Sequence, residues 1–458
     1  MYVKHILIRN VKLFRHVELN FIEAGRPRMW TVLVGENGLG KTTILQAIAM
    51  TASGEARVNQ LANVPSLTNR TSEGYIAQIR STFTFGELGH SRREYPGLSS
   101  PPANPPILRS NVSALPGWAT VFGESFYRDS QGEEIELTVN RPSVEHSEIQ
   151  VSEGMSFRDP LSEVRARNLP GWFVVGYGVD RRLPSPNNAP KLDDPAFQRM
   201  ASLFDKGPIV ATGFADLLES KEKVREFSKT LQAALLNNSK ILPRISGVEL
   251  RGQSGASSAR RLVEGDRFSF NIGQSTVKIP ATWLSQGYQA MIAWVADLIG
   301  QNFWDAKRKV KAAEMEGLVL IDEIDIHLHP TWQVNLIQAL KTTFPRLQFV
   351  VTTHSPMVLP GLNKGEILRV KQTEQGAVVV EPVDESPAVM TGSELYDAFF
   401  GINGLFAKEI GEQLRRYSYL SSDPYRSDDE DREMVRIQQA LKQADVLPEW
   451  EPAGREPL

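Results

Sequence analysis

Gly35-Glu36-Asn37-Gly38-Leu39-Gly40-Lys41-Thr42 sets three glycines, a lysine and a threonine between an apolar run, Trp30 to Val34, and a helix-patterned stretch, Thr43 to Met50. Such spacing suits a phosphate: the glycines let successive backbone N–H groups turn inward, and the following helix presents its partially positive N-terminus to the same anion. Read as a P-loop, residues 35 to 43, with Thr43 the last of them, bind ATP. Lys41 reaches the terminal phosphates and the Thr42 hydroxyl ligates Mg2+. A glycine-rich turn with a chance lysine is the bland alternative, and it does not account for strand, loop, Lys-Thr and helix arriving in that order.

A second apolar run, Gly317-Leu-Val-Leu-Ile-Asp322-Glu323, ends in two carboxylates. Charge at the end of a buried strand is costly unless something uses it, and a nucleotide-bound Mg2+ is such a use. Asp322 is expected to hold the metal through water, and Glu323 to polarise the attacking water as general base. A mere helix cap is the competing reading. A third run, Leu347 to Thr352, leads into Thr353-His354-Ser355-Pro356. A histidine there is ordinarily a packing or capping residue, but the carboxyl edge of an open α/β sheet is where ligands bind, so His354 is expected to hydrogen-bond the γ-phosphate and sense its loss.

The elements that must position these groups follow from periodicity. His5 to Asn10 and Val17 to Phe21 alternate like a hairpin, with Phe14 and Arg15 read as turn and packing residues and a contact to the nucleotide base as the second reading. From Thr51 to Asn168, short β-rich runs (Tyr75 to Phe85, Trp118 to Tyr127, Glu133 to Val139) alternate with proline- and serine-rich connectors, which predicts an antiparallel side sheet. Trp172 to Tyr177 reads as a buried strand whose exit loop carries Arg181 and Arg182. A helical lobe is expected across Phe214 to Leu236, strand-like residues over Arg267 to Ile279, and a long apolar helix over Ala290 to Gln301. After Pro382 come a helical Ser393 to Ser418, an acidic Ser427 to Asp431 and a short helix to Ala444. The expected divisions are an ATPase lobe over 1–182, a helical lobe over 183–280, the rest of the ATPase core over 281–385 and a helical tail over 386–458.

The chain has 458 residues, enough for two to three domain-sized units, with 41% hydrophobic and 23% charged residues. A formal net charge of -3 offers no global basic footprint for nucleic acid, so such contact needs a local patch or a partner. Zero cysteines exclude disulfides, thiolate metal sites and a cysteine nucleophile. The first ten residues alternate like a strand rather than forming a signal peptide, and no apolar run approaches membrane-spanning length; the expectation is a soluble, cytoplasmic protein.

Together, the P-loop, Leu284-Ser285-Gln286-Gly287, Leu318 to Glu323 and His354 resemble the ATPase domain of the ABC superfamily. Asp322-Glu-Ile-Asp-Ile-His-Leu-His-Pro330-x-Trp332-Gln333 and Thr352-Thr-His-Ser-Pro356 resemble its RecF, SMC and OLD branch, and more weakly the compact ATPases of antiphage systems such as the Septu ATPase encoded beside an HNH nuclease. The resemblance implies an α/β P-loop NTPase, an ABC-type ATPase head with an antiparallel β side sheet and an inserted helical lobe. It implies a composite site in which Ser285 and Gly287 of one copy bind the γ-phosphate of ATP held by the P-loop of another, with Asp325 in the inter-subunit loop. His327 and His329 are read as structural or interfacial rather than as metal ligands.

Two departures accompany the resemblance. The family's glutamine-bearing loop aligns with Tyr177 to Arg182, which lacks glutamine, and Gln78 is unassigned; neither a long coiled coil nor a zinc hook is present. With no nuclease motif in the chain, catalysis on nucleic acid would reside in a partner. The expectation is thus an ATP- and Mg2+-dependent ATPase, a homodimer or higher assembly of dimers, that switches an effector such as a nuclease. The alternative is a RecF-like clamp acting directly on DNA ends or junctions, with Arg181, Arg182, Arg260 and Arg261 as candidate groove residues. A third reading, the nucleotide-binding subunit of a membrane transporter, is disfavoured by the long side sheet and the His-Leu-His-Pro block.

Overall fold

In the computed structural model of the protein, the described residues are 1–62, 67–69, 77–86, 107–115, 118–128, 134–143, 165, 167, 169–183, 194–205, 209, 221–237, 242, 244–249, 267–390, 392–400, 408–423 and 425–444. Among them the strands are β1 (Tyr2–Val11), β2 (Phe14–Asn20), β3 (Ile22–Glu23), β4 (Arg26–Pro27), β5 (Trp30–Gly35), β6 (Ala77–Thr84), β7 (Ile107–Leu115), β8 (Trp118–Arg128), β9 (Glu134–Ser143), β10 (Val174–Tyr177), β11 (Ile245–Glu249), β12 (Arg267–Ile272), β13 (Ser275–Ile279), β14 (Gly317–Ile321), β15 (Leu347–Thr352), β16 (Ile367–Gln372) and β17 (Val378–Pro382). The α-helices are α1 (Lys41–Ser53), α2 (Glu55–Leu61), α3 (Pro195–Ala201), α4 (Lys221–Gln232), α5 (Gln286–Asp305), α6 (Pro330–Thr343), α7 (Gly392–Phe400), α8 (Lys408–Ser422) and α9 (Asp428–Gln443).

The central sheet runs β10-β14-β15-β5-β16-β17. All neighbours pair in parallel except β16 with β17. Every residue of β5, β10, β14 and β15 is buried, which is why those segments read as mainly apolar runs rather than as alternating strands. Trp30 on β5 lies opposite Phe349 on β15, and their rings stack at 4.4 Å. Because the strands are parallel, β5, β10, β14 and β15 deliver the residues that follow them to one edge of the sheet.

A second sheet, β2-β1-β6-β7-β8-β9, is antiparallel throughout. The N-terminal hairpin is therefore part of the side sheet, and β7, β11, β16 and β17 are strands that the periodicity did not single out. A hydrophobic core joins the side sheet to the P-loop helix: Ile6, Ile8, Phe14 and Phe83 cluster with Ile44, Leu45 and Ile48 of α1. Arg267 to Ile279 is a hairpin, β12 and β13, turned at Gly273 with φ +58°, and it pairs with β11. Between residues 183 and 280 the described chain thus carries α3 and α4 together with a small sheet.

Contacts divide the chain into two compact units, Met1–Val389 and Met390–Leu458. In the second, α8 packs on α9, burying Leu420 and Leu441, with Arg416 and Glu433 paired at 2.6 Å. Acidic Ser427 to Asp431 is the start of α9. Ser427 and Glu430 form a reciprocal capping box there, and the acidic first turn complements the helix dipole.

Candidate active site

The loop between β5 and α1 closes tightly because glycine occupies positions that other residues resist. Gly38 and Gly40 adopt φ +80° and +92°, and a Cβ on Gly40 would lie 2.8 Å from the Phe14 ring. Phe14, fully buried beneath the loop, is thus a packing residue, as the first of its two readings held. Lys41 is only 6% exposed, and its Nζ donates to the carbonyls of Gly35 (2.8 Å) and Glu36 (2.7 Å). Burial lowers its pKa to about 8, against the opposing pull of Asp322, Glu323 and Glu36.

Asp322 follows β14 and is held on both carboxylate oxygens. The Thr42 hydroxyl donates to Oδ2 at 2.8 Å, and the Thr352 hydroxyl, at the end of β15, donates to Oδ1 at 2.6 Å. Thr352 Oγ1 also accepts the Glu323 N–H at 2.7 Å, and the Ile324 N–H bonds the Thr352 carbonyl at 2.9 Å. Glu323 has φ +46°, in the left-handed region. Its side chain is 37% exposed, and burial, then Asp322 and Asp325, push its pKa up, while Arg181 and Lys41 pull it down. His354 Nε2 lies 4.0 Å from Glu323 Oε1, with its pKa lowered by burial and then by Lys41, which favours the neutral imidazole. Lys41, Thr42, Asp322, Glu323 and His354 therefore converge on one edge of the central sheet, although they come from three separate stretches of chain.

The donor set fits a magnesium nucleotide. The buried lysine and the inward-turned glycine loop suit phosphate, and a threonine hydroxyl beside an aspartate offers the hard oxygen ligands that Mg2+ takes together with phosphate and water. Among the described residues no cluster of three or more His, Cys, Asp and Glu side chains is grouped to hold a metal unaided. His327 has φ +63°, and the His329 ring caps α6 at the Thr331 N–H.

Ser285 precedes α5, exposed, and its side chain makes no capping bond. Gly287, the second residue of α5, packs against the loop after β14 so closely that a Cβ would meet the His327 carbonyl at 2.3 Å. Asp325 accepts a short hydrogen bond from the Thr353 hydroxyl. A cleft of about 640 Å³ opens beside Ser285, walled by Trp283, Tyr288 and Trp332 among others, and Trp283 is 76% exposed.

One expectation is corrected. Arg181 is not a groove-facing cation: it is 4% exposed, with its guanidinium turned into the protein onto the carbonyls of Gly178, Asp322 and Glu323. Arg182 does face solvent, 84% exposed and paired with its neighbour Asp180, while Arg260 and Arg261 lie outside the described residues. Sequence reasoning also missed Thr352, whose only signal was a hydroxyl residue closing an apolar strand. It missed Tyr177 as well, whose hydroxyl bonds Asp297 of α5 at 2.8 Å.

A mainly parallel sheet with a glycine-rich phosphate loop, a lysine and threonine opening the next helix, and an acidic pair at the end of β14, one strand removed from β5, together define a P-loop ATPase. Residues 30–359 match the family described as AAA domain, putative AbiEii toxin, Type IV TA system, and the chain belongs to that family. It is similar to the Septu protein PtuA of Bacillus mycoides, 26% identical over 447 residues that cover 96% of this chain and 50% of that protein. It is similar also to the Retron Ec83 probable ATPase of Escherichia coli, 23% identical over 409 residues, covering 81% of this chain and 72% of that one. The chain thus spans about half the length of the Septu relative. Among solved structures it is similar to an SMC head bound to the C-winged helix domain of ScpA, with TM-score 0.47 and 16% identity, covering 85% of this chain and 99% of that one. Among the described residues no helix is long and apolar enough to cross a membrane.

Proposed function

We propose that the protein is a nucleotide-driven switch: two copies close head to tail over two Mg-ATP molecules, and hydrolysis reopens them to change the state of a partner effector, a nuclease in an antiphage defence complex. The observation that carries this reading is the convergence of Lys41, Thr42, Asp322, Glu323 and His354 at one sheet edge. Similarity to Septu and retron ATPases supports the defence setting.

In this reading residues 35 to 43 hold the triphosphate, with Lys41 on the terminal phosphates. Thr42 and Asp322 would hold Mg2+, which when bound neutralises charge on the phosphoryl group. Glu323, its pKa raised by burial and by the neighbouring carboxylates, takes the proton of the attacking water, a role worth about 10²–10⁴-fold in rate. Neutral His354 donates to the γ-phosphate. Ser285 and Gly287 of the second copy contact the same phosphate; the uncapped, exposed start of α5 supports that role, and closure would bury Trp283. Each γ-phosphate then engages both copies, so its loss weakens the interface.

The test is the solution mass of the Glu323→Gln protein with and without Mg-ATP, co-expressed with any neighbouring gene product. The expected result is a nucleotide-dependent doubling or release of the bound partner, with turnover reduced by about 10²-fold or more. Ser285→Arg should abolish the doubling while ATP still binds. A mass that ATP leaves unchanged overturns the switched dimer, and unchanged turnover in Glu323→Gln removes Glu323 as the base.

A further inference from the structure

The loop leaving β10 carries a buried guanidinium to the backbone behind the acidic pair, and the reading above makes no use of it. Arg181 Nη1 donates to the Asp322 carbonyl at 2.5 Å and to the Gly178 carbonyl at 3.1 Å, and Nη2 donates to the Glu323 carbonyl at 2.5 Å. A planar fork with two short, charge-assisted bonds to consecutive carbonyls fixes the direction of the chain between them, which a single ammonium does less well.

The segment it grips has special backbone requirements. Glu323 occupies the left-handed region, which a glutamate adopts only when its surroundings hold it there. The peptide groups on its two sides are both held by side chains: the Glu323 N–H bonds Thr352 Oγ1, and the Glu323 carbonyl bonds Arg181 Nη2. The Asp322 peptide is tied likewise, its N–H to the Tyr177 carbonyl and its own carbonyl to Arg181 Nη1. Thr352 and Arg181 come from opposite neighbours of β14, so the turn at Glu323 is clamped from β15 on one side and from the β10 loop on the other. With the backbone pinned, the glutamate reaches the site through its side-chain torsions alone. Arg181 keeps its charge at neutral pH, since burial lowers its pKa only to about 10 while Asp322, Asp325 and Glu323 oppose the fall.

We propose that Arg181 is a positioning residue for ATP hydrolysis, its guanidinium holding the left-handed turn that aims the Glu323 carboxylate at the attacking water. This rests on Glu323 being the general base. The loop leaving β10 would thus act through the backbone of the acidic pair.

The test uses the full chain with Arg181→Met and Arg181→Lys, each alone and combined with Glu323→Gln. It measures kcat, the affinity for a fluorescent ATP analogue with Mg2+, and thermal unfolding. Arg181→Met should lower kcat by about 10²-fold and Arg181→Lys by about 10-fold, because lysine restores the charge but not the fork. Nucleotide affinity should stay within about threefold, since the P-loop is untouched. On the Glu323→Gln background, Arg181→Met should cost less than about a further twofold, because two residues acting as one unit are not additive. Unchanged kcat in Arg181→Met, a loss that persists in full on the Glu323→Gln background, or a loss of affinity equal to the loss of rate would each overturn the proposal. Should Arg181→Met fail to fold, Arg181→Lys carries the same comparison. Full turnover in Glu323→Gln alone would instead overturn the base assignment, a result independent of the arginine variants.

Discussion

Two buried guanidiniums, Arg181 and Arg199, lie close in sequence after β10 and are used in opposite ways. At the edge of the central sheet Arg181 takes backbone carbonyls rather than the carboxylates of Asp322, Glu323 or Asp325. Beneath α5, Arg199 faces Asp305 at 3.3 Å and the Gln301 side chain at 3.2 Å, and lies over the rings of Phe173 (5.0 Å) and Trp304 (5.6 Å). Beside it Asp297, bonded by the Tyr177 hydroxyl and by Gln301, has its pKa raised by burial to about 7. Tyr177 belongs to both regions, since its carbonyl accepts the Asp322 N–H while its hydroxyl reaches Asp297.

The contrast separates two carboxyls that burial shifts in the same direction. Glu323 is half-buried at a sheet edge beside a lysine, a histidine and other carboxylates, where its oxygens are open to a reactant. Asp297 is 2% exposed, and a hydroxyl and an amide occupy its oxygens. A raised pKa marks chemistry only where geometry gives the proton somewhere to go.

Removing Arg199 is the strongest way to break the comparison. Arg199→Met leaves Asp305 buried without its guanidinium partner and should destabilise the protein by about 3–5 kcal/mol in chemical denaturation. Adding Asp305→Asn should recover a good part of that loss. If it does not, Arg199 acts by packing on Phe173 and Trp304 rather than as a charge partner.

Asp297 sharpens the contrast through pH. Its folded-state value of about 7 lies above the ordinary 3.8, so both states are protonated in acid and the folded state retains the proton longer. Stability from this group is therefore complete below about pH 4, falls by about 1.4 kcal/mol per pH unit as the pH rises toward 7, and levels off above it. Asp297→Asn should flatten that limb of the stability profile, and an unchanged limb would assign it to another group. The smallest effect belongs to Arg182→Ala. An 84% exposed arginine paired with a 60% exposed aspartate should contribute less than about 0.5 kcal/mol and leave turnover intact. Loss of a salt-sensitive DNA affinity in that variant would restore the direct DNA-binding reading.

Much of the nucleotide edge was legible because it is written locally. Glycine spacing, Lys41-Thr42 and an apolar run closing on Asp322-Glu323 each state their chemistry within a few residues. The strands of the side sheet were partly legible, with β7 passed over there and β11, β16 and β17 elsewhere, and the long apolar helix begins at Gln286 rather than Ala290, since Ser285 to Gln289 lacks the apolar repeat that marks a helix interior. Arg181 beside Arg182 reads as a basic surface pair, and no local pattern tells which of the two turns inward.

By itself, then, the sequence determined the phosphate-binding loop, the acidic pair and the buried parallel strands that carry them, because turn geometry and burial act over a few residues. Tertiary structure alone decided that Asp322 is held from both Thr42 and Thr352, that Tyr177 joins the site to α5, and that Arg181 meets carbonyls rather than water. Those outcomes depend on which strand lies beside which. Arg181 and Asp322 stand 141 positions apart in the chain, and only the order of β10, β14 and β15 in the sheet brings them together.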